Sequence, residues 1–350
     1  MKSILWTFIL FFTVITHLQI NAQEDQHTYL LRSDLSLVSL TSPNRIMQTS
    51  ETLSIPVTDY DAPNPVTIAR AQISASEDQL FVLLHEGRVS QRYPFPINTR
   101  IALVDITTNQ TRILYERSGI FTFVLSPDEQ HMIIGYYESD YYFSTQSLCI
   151  LEISTGICTI LEYRIGTNPG FWVDSSTILI PSLVNNQVPL LNIFTHQESF
   201  IPTPEDWQFA AVTPIPDTRM ILISAQQSSE DRTQRAITSF FILNLDSLTF
   251  EMLPYTERLI VSWWSFSPNN QYVIYERRHP ILVEFLTGRA IYELTSLLNW
   301  GWVNEHTLVA QRLNPNGTGM EIIQIDATTG GITTLAQGDQ AGGILLIPHS

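Results

Sequence analysis

Apolar and polar residues alternate along short stretches over most of this 350-residue chain, and Ser, Pro, Asp, Asn or Gly interrupts the alternation at close intervals. A period of two puts successive side chains on opposite faces of a strand, and the interrupting residues supply hairpin turns. One unit recurs: an apolar strand, a polar turn, then a second apolar strand. Its clearest copies lie at 121–136 and 262–275, with looser ones at 71–84, 171–180, 211–223 and 301–310. The first apolar residue after each turn is Leu80, Met132, Ile178, Met220, Tyr272 or Leu308, at successive spacings of 52, 46, 42, 52 and 36. A four-stranded propeller blade takes roughly 40–50 residues.

After most of these anchors a second alternating hairpin follows, at 101–115, 148–161, 240–253, 282–292 and 322–335. Two hairpins per repeat predict four antiparallel strands, A to D. At the chain ends, 29–32, 35–40 and 45–48 predict strands B, C and D of a first blade that lacks its own A. Residues 343–348 form a lone apolar strand. If it serves as the missing strand A, the ring closes and no edge is left to recruit other chains.

The turns Ser126-Pro127-Asp128 and Ser267-Pro268-Asn269, with the later hairpins Ser154-Thr155-Gly156 and Leu286-Thr287-Gly288, resemble the WD40-like (PD40) repeat of TolB-type propellers. The resemblance covers most of residues 66–336. It implies an all-β propeller fold; six complete repeats plus the composite end blade give a single β-propeller of about seven four-stranded blades, with N- and C-terminal strands sharing one blade, six or eight being the alternatives. It implies no activity, because that family shares an architecture only. Glu129 and Asn270 stand where the family's repeat carries Gly after the Ser-Pro-Asp.

Composition fits this picture. Hydrophobic residues make up 44% and charged residues 15%, and the formal net charge is −16. A nucleic-acid binder needs a basic footprint to displace counterions, so nucleic acid and anionic membrane surfaces are excluded as partners. Residues 1–22 read as a secretory signal peptide: Lys2 is their only charge, 4–15 is apolar, and Ala22 ends a plausible cleavage site. The apolar run is short for a membrane span. The expectation is one secreted, monomeric propeller domain at 23–350, with no membrane span after signal cleavage.

Cys149 and Cys158 flank the turn at 154–156. A two-residue loop there sets Cys149 opposite Glu162, and a three-residue loop sets it opposite Leu161. Neither register brings Cys149 across from Cys158, so two buried free thiols are expected. Export itself would allow a bridge.

Strand A is expected to line the central channel. Its aromatics, Phe121, Phe123, Trp172, Trp263, Phe266, Trp300 and Trp302, are expected to glue neighbouring blades, since each can bury about 150–250 Å². Trp207, Trp263 and Trp300 lie nearest the D–A loops and could offer a stacking platform there. The D–A and B–C loops share one face, and the B–C loops at 86–99, 138–147, 225–236 and 311–320 are long. Long loops on a rigid scaffold are where binding concentrates. Candidate binding residues on that face are Arg88, Arg92, Tyr141, Tyr142 and Arg232, beside those three tryptophans. A protein, peptide or glycan partner is expected. No nucleophile elbow, no His-Glu-x-x-His and no calcium-loop spacing occurs, so no cofactor or metal ion is expected. A stand-alone propeller hydrolase or lyase acting on carbohydrate or small molecules is the alternative.

Overall fold

The computed structural model describes residues 29–32, 35–40, 48–58, 65–87, 98–137, 146–165, 170–180, 188–201, 207–227, 237–257, 264–276, 279–295, 297–314, 319–338 and 343–346. Among these the regular structure is all β, in seven four-stranded antiparallel sheets. Sheets 2 to 7 take their strands in chain order, starting at Val66–Ile73, Ile120–Leu125, Phe171–Trp172, Trp207–Pro214, Trp264–Phe266 and Leu297–Asn304. The six sequence anchors each fall on the first or second residue of a strand B. The sheets form a β-propeller.

Strand character follows position. In sheet 2, Gln79–Glu86 keeps Leu80 to Leu84 buried without a break, because neighbouring sheets cover both of its faces. Such a strand reads as a continuous apolar run. The outer strand Gln110–Arg117 has only Leu114 buried, and its other residues meet water to differing degrees.

Seven apolar clusters join the sheets pairwise. Sheets 1 and 2 meet through Leu31, Ile73 and Leu80, and sheets 2 and 3 through Phe81, Phe123 and Met132. Equivalent clusters join 3 to 4, 4 to 5, 5 to 6 and 6 to 7. Leu30 and Val38 then pack with Val303, Val309 and Ile322, which joins sheet 7 to sheet 1. Sheet 1 itself is composite: Ile344–Leu346 pairs antiparallel with Tyr29–Leu31, with Leu30 opposite Leu345.

Two tryptophans of strand A bind across to the preceding sheet. Trp172 donates its indole N–H to the Val124 carbonyl at 3.1 Å, and Trp302 does the same to the Ser265 carbonyl at 3.1 Å. Both are buried, as are Phe123 and Phe266, so these aromatics are inter-sheet packing. Phe121 is half-buried, and Trp263 lies outside the described residues.

The C–D hairpins share a capping device. The last residue of strand C carries an acceptor that holds the turn. Asp105 accepts from the N–H of Thr108, and Asp326 from the N–H groups of Thr328 and Thr329. Asn192 and Asn244 do the same for Thr195 and Ser247. Glu284 accepts from the Thr287 hydroxyl. Side-chain mimicry of a backbone turn explains why Asp and Asn recur there.

The structure departs from the sequence expectations in three places. The outer strand of sheet 1 is Gln48–Thr52, beginning where the expected 45–48 ends. Sheet 4 has a C–D hairpin, Val188–Asn192 and Glu198–Ile201, that the alternation did not reveal. The third departure concerns the cysteines, which are bridged and not free. The turn spans four residues, with Glu152 opposite Ile157 and the Gly156 N–H bonded to the Glu152 carbonyl. That register sets Cys149 opposite Ile160, diagonal to Cys158 on the same face. The Cα atoms come within 5.7 Å, inside the range a disulfide spans.

Candidate functional site

The inner strands of sheets 2 to 7 surround a central cavity of about 1130 Å³. It extends to the A–B turns, whose Pro127, Pro216 and Pro268 form part of its wall. Phe171 and Trp300 line it, each half-buried and packed against an inter-sheet cluster. Polar groups come from Gln72, Thr213 and Asn299. Aromatic and neutral polar side chains thus share one cavity wall.

The charged groups of the cavity are unequal. Arg219 at the rim is engaged, at 2.7 Å from Asp246 and 3.4 Å from Asp174. Burial raises the Asp174 pKa, but hydrogen bonds from Ser176 and Thr177 outweigh it and leave the carboxyl below its usual value. Asp174 is therefore an ionised group at neutral pH and a poor proton donor. Asp217, in the adjoining turn, is the other rim carboxylate. Arg70 differs: no carboxylate pairs with it among the described residues. Its guanidinium carbon lies 5.7 Å from the centroid of the Phe123 ring, within cation–π reach. The side chain is exposed to the channel, and partial desolvation by the surrounding walls lowers its pKa from the ordinary value.

Local backbone irregularity sets the position of Arg70. Strand Val66–Ile73 pairs Ile68 with Leu84 and Arg70 with Leu83, so Ala69 is an extra, bulged residue. A bulge re-aims the side chains beside it. The inner strands of sheets 3, 5 and 7 are also bulged, and the residue after the extra one is Thr122, Ala211 or Asn299. Arg70 is the charged member of that set.

Of the residues expected at a site, the cavity collects Trp300. Trp207 stands at the start of the sheet 5 inner strand, edge-on to Phe241 at 5.1 Å, and packs on the core between sheets 4 and 5. Arg88, Arg92, Tyr141, Tyr142, Arg232 and Trp263 lie outside the described residues. Arg70, Gln72, Thr213, Asn299 and the two rim carboxylates were not singled out in the sequence. One signal was available for Arg70: it is a charge inside an innermost strand. Among the described residues no group of three or more His, Cys, Asp or Glu is placed to hold a metal ion. His85, in strand B of sheet 2, has its pKa lowered by burial, with an opposing hydrogen bond at Ile120.

No family model and no curated protein matches the chain. Solved structures do. The periplasmic gluconolactonase PpgL of Pseudomonas aeruginosa aligns with a TM-score of 0.53 at 11% identity, covering 93% of this chain and 99% of that one. The β-propeller domain of the Trilobed protease of Pyrococcus furiosus aligns with a TM-score of 0.51 at 10% identity, covering 78% and 86%. The tricorn protease aligns with a TM-score of 0.46 at 10% identity; 86% of this chain is covered, but the chain spans only 34% of that protein. At such identities the first two likenesses speak for fold alone, and what they show is that this chain is a β-propeller.

Proposed function

We propose that the chain is an exported binding propeller, one closed ring of seven blades, that holds a glycan or peptide ligand in its central channel. The observation that carries this is the roughly 1130 Å³ cavity, walled by six inner strands and furnished with Trp300, Phe171, Gln72, Thr213 and Asn299. Seven pairwise apolar clusters support the ring count. The Cys149–Cys158 disulfide supports export, since such bridges persist in oxidising compartments. Arg88, Arg92, Tyr141, Tyr142, Arg232 and Trp263 are proposed as contacts for a larger partner at the opposite, loop-rich mouth.

The test is a glycan and peptide array probed with purified protein, repeated with Trp300→Ala and Gln72→Ala. Binding weakened about tenfold or more by either change, with the fold intact, supports the channel as the seat. Binding untouched by both, yet abolished by Tyr141→Ala with Tyr142→Ala, would move the site to the loop face. Export is checked by finding the protein outside the cytoplasm with an N-terminus near residue 23.

A further inference from the structure

We infer that the channel ligand carries a single carboxylate on a hydroxylated body, and that Arg70 is the group that receives it. This rests on the channel reading above and narrows it to a chemical class.

Arg70 is a cation exposed on the channel wall, without a carboxylate partner among the described residues. The other cavity arginine, Arg219, is already held by Asp174 and Asp246. The Phe123 ring face attracts the Arg70 guanidinium electrostatically and uses none of its N–H groups. The planar fork of donors is left for an acceptor, and a carboxylate matches that fork in a bidentate way. A monoanion fits better than a phosphate dianion for two reasons. One free arginine neutralises one charge. Asp174 and Asp217 at the rim, within a chain of net charge −16, repel a second. The rest of the cavity is lined by the aromatics Phe171 and Trp300 and by the neutral polar residues Gln72, Thr213 and Asn299. Those suit a body that is hydroxylated and uncharged. The bulge at Ala69 sets where Arg70 leaves the paired strand, and the Phe123 ring lies beneath its guanidinium.

The probes are D-glucuronate, D-glucose and D-glucose 6-phosphate, titrated by calorimetry into the wild-type protein and into Arg70→Gln, Arg70→Lys and Trp300→Ala. Glucuronate is expected to bind about tenfold or more tightly than glucose, and more tightly than the phosphate ester. Arg70→Gln should erase that preference while circular dichroism stays unchanged and melting falls by only a few degrees, for the lost Phe123 contact. Arg70→Lys should keep part of it, since charge survives and the fork does not. Equal binding of glucose and glucuronate, both lost in Trp300→Ala, would overturn the carboxylate inference and leave the channel reading standing. Glucuronate that binds Arg70→Gln as well as wild type would also overturn it, as would a preference for the phosphate ester. So would glucuronate that fails to bind the wild type, whereas the channel reading answers to the array, which does not depend on ligand charge.

Discussion

The Glu129 carboxylate accepts a hydrogen bond from the backbone N–H of Ala75 at 2.6 Å, tying the A–B turn of sheet 3 to that of sheet 2. Glu129 has φ +55°, a left-handed conformation in the position where the resembling repeat carries Gly. The same turn position in sheet 2 is Glu77, φ +60°, which accepts from the Tyr29 hydroxyl of sheet 1 at 2.6 Å. In sheet 6 it is Asn270, φ +57°, which donates to the Pro216 carbonyl of sheet 5 at 2.9 Å. Each side chain reaches back to the preceding sheet. A left-handed non-glycine residue costs roughly 1–2 kcal/mol, and a hydrogen bond involving a charged group returns about 1.5–3 kcal/mol. The departure from Gly is thus offset by a link between blades that Gly could not make.

This relationship orders three proteins by stability. Glu129→Ala keeps the strain and loses the link, and is expected to be the least stable, by about 1.5–3 kcal/mol. Glu129→Gly loses the link but relieves the strain, and should fall between Ala and wild type. Thermal melting gives the order, and an Ala variant as stable as wild type would remove the link from the account.

The disulfide closes a short loop with a sequence separation of 9. Chain-entropy reasoning gives such a cross-link about 2–3 kcal/mol. Reduction, or Cys149→Ser paired with Cys158→Ser, should lower the melting temperature by several degrees without changing the far-ultraviolet spectrum. Mass spectrometry after alkylation should label neither cysteine before reduction and both after it.

Closure depends on Gly343, the residue before the strand that completes sheet 1. Its φ is +136°, and a Cβ there would lie 2.3 Å from the Leu31 carbonyl oxygen, which is backbone and cannot swing aside. Its carbonyl accepts from the Gln311 amide at 3.3 Å. Gly343→Ala should therefore cost about 1–3 kcal/mol and raise hydrogen exchange in Tyr29–Leu31 before other strands. Uniform exchange across the molecule would contradict a local role at the seam.

Acid should loosen the C–D turns. Hydrogen bonds from Thr107 and Thr108 hold the Asp105 pKa below its ordinary value, and Thr328 and Thr329 do the same for Asp326. Thr287 and Arg289 lower that of Glu284. A carboxyl depressed on folding stabilises the protein above its unfolded pKa, and that contribution is lost as pH falls through the folded pKa. The melting temperature should therefore hold steady near neutrality and fall below about pH 4. Asp105→Asn, which keeps an acceptor but cannot titrate, should make that fall shallower. An unchanged acid slope would show that the turn carboxylates do not drive it.

The limits of the sequence show in particular residues. Leu80, Met132 and Tyr272 could be placed on second strands because a turn signal and an apolar run meet there. The hairpin at 188–201 escaped because its strands are short, Pro189 breaks the pattern, and Phe200 is exposed where alternation predicts a polar residue. The cysteine bridge escaped because one extra residue in a turn shifts every cross-strand partner, and spacing does not reveal turn length. Arg70 escaped because neither its partners nor its lack of them is local.

What the sequence determined by itself is the repeating unit: period-two alternation and turn chemistry act over a few residues, and they dictate four-stranded ribbons that cannot bury their apolar faces alone. What only the tertiary structure decided is everything that depends on residues far apart in the chain. That includes the 344–346 strand beside 29–31, the side-chain links from blade to blade, and one arginine facing a cavity built from six sheets. Those juxtapositions are set by how the ribbons stack and close, and no local pattern encodes which distant side chains then meet.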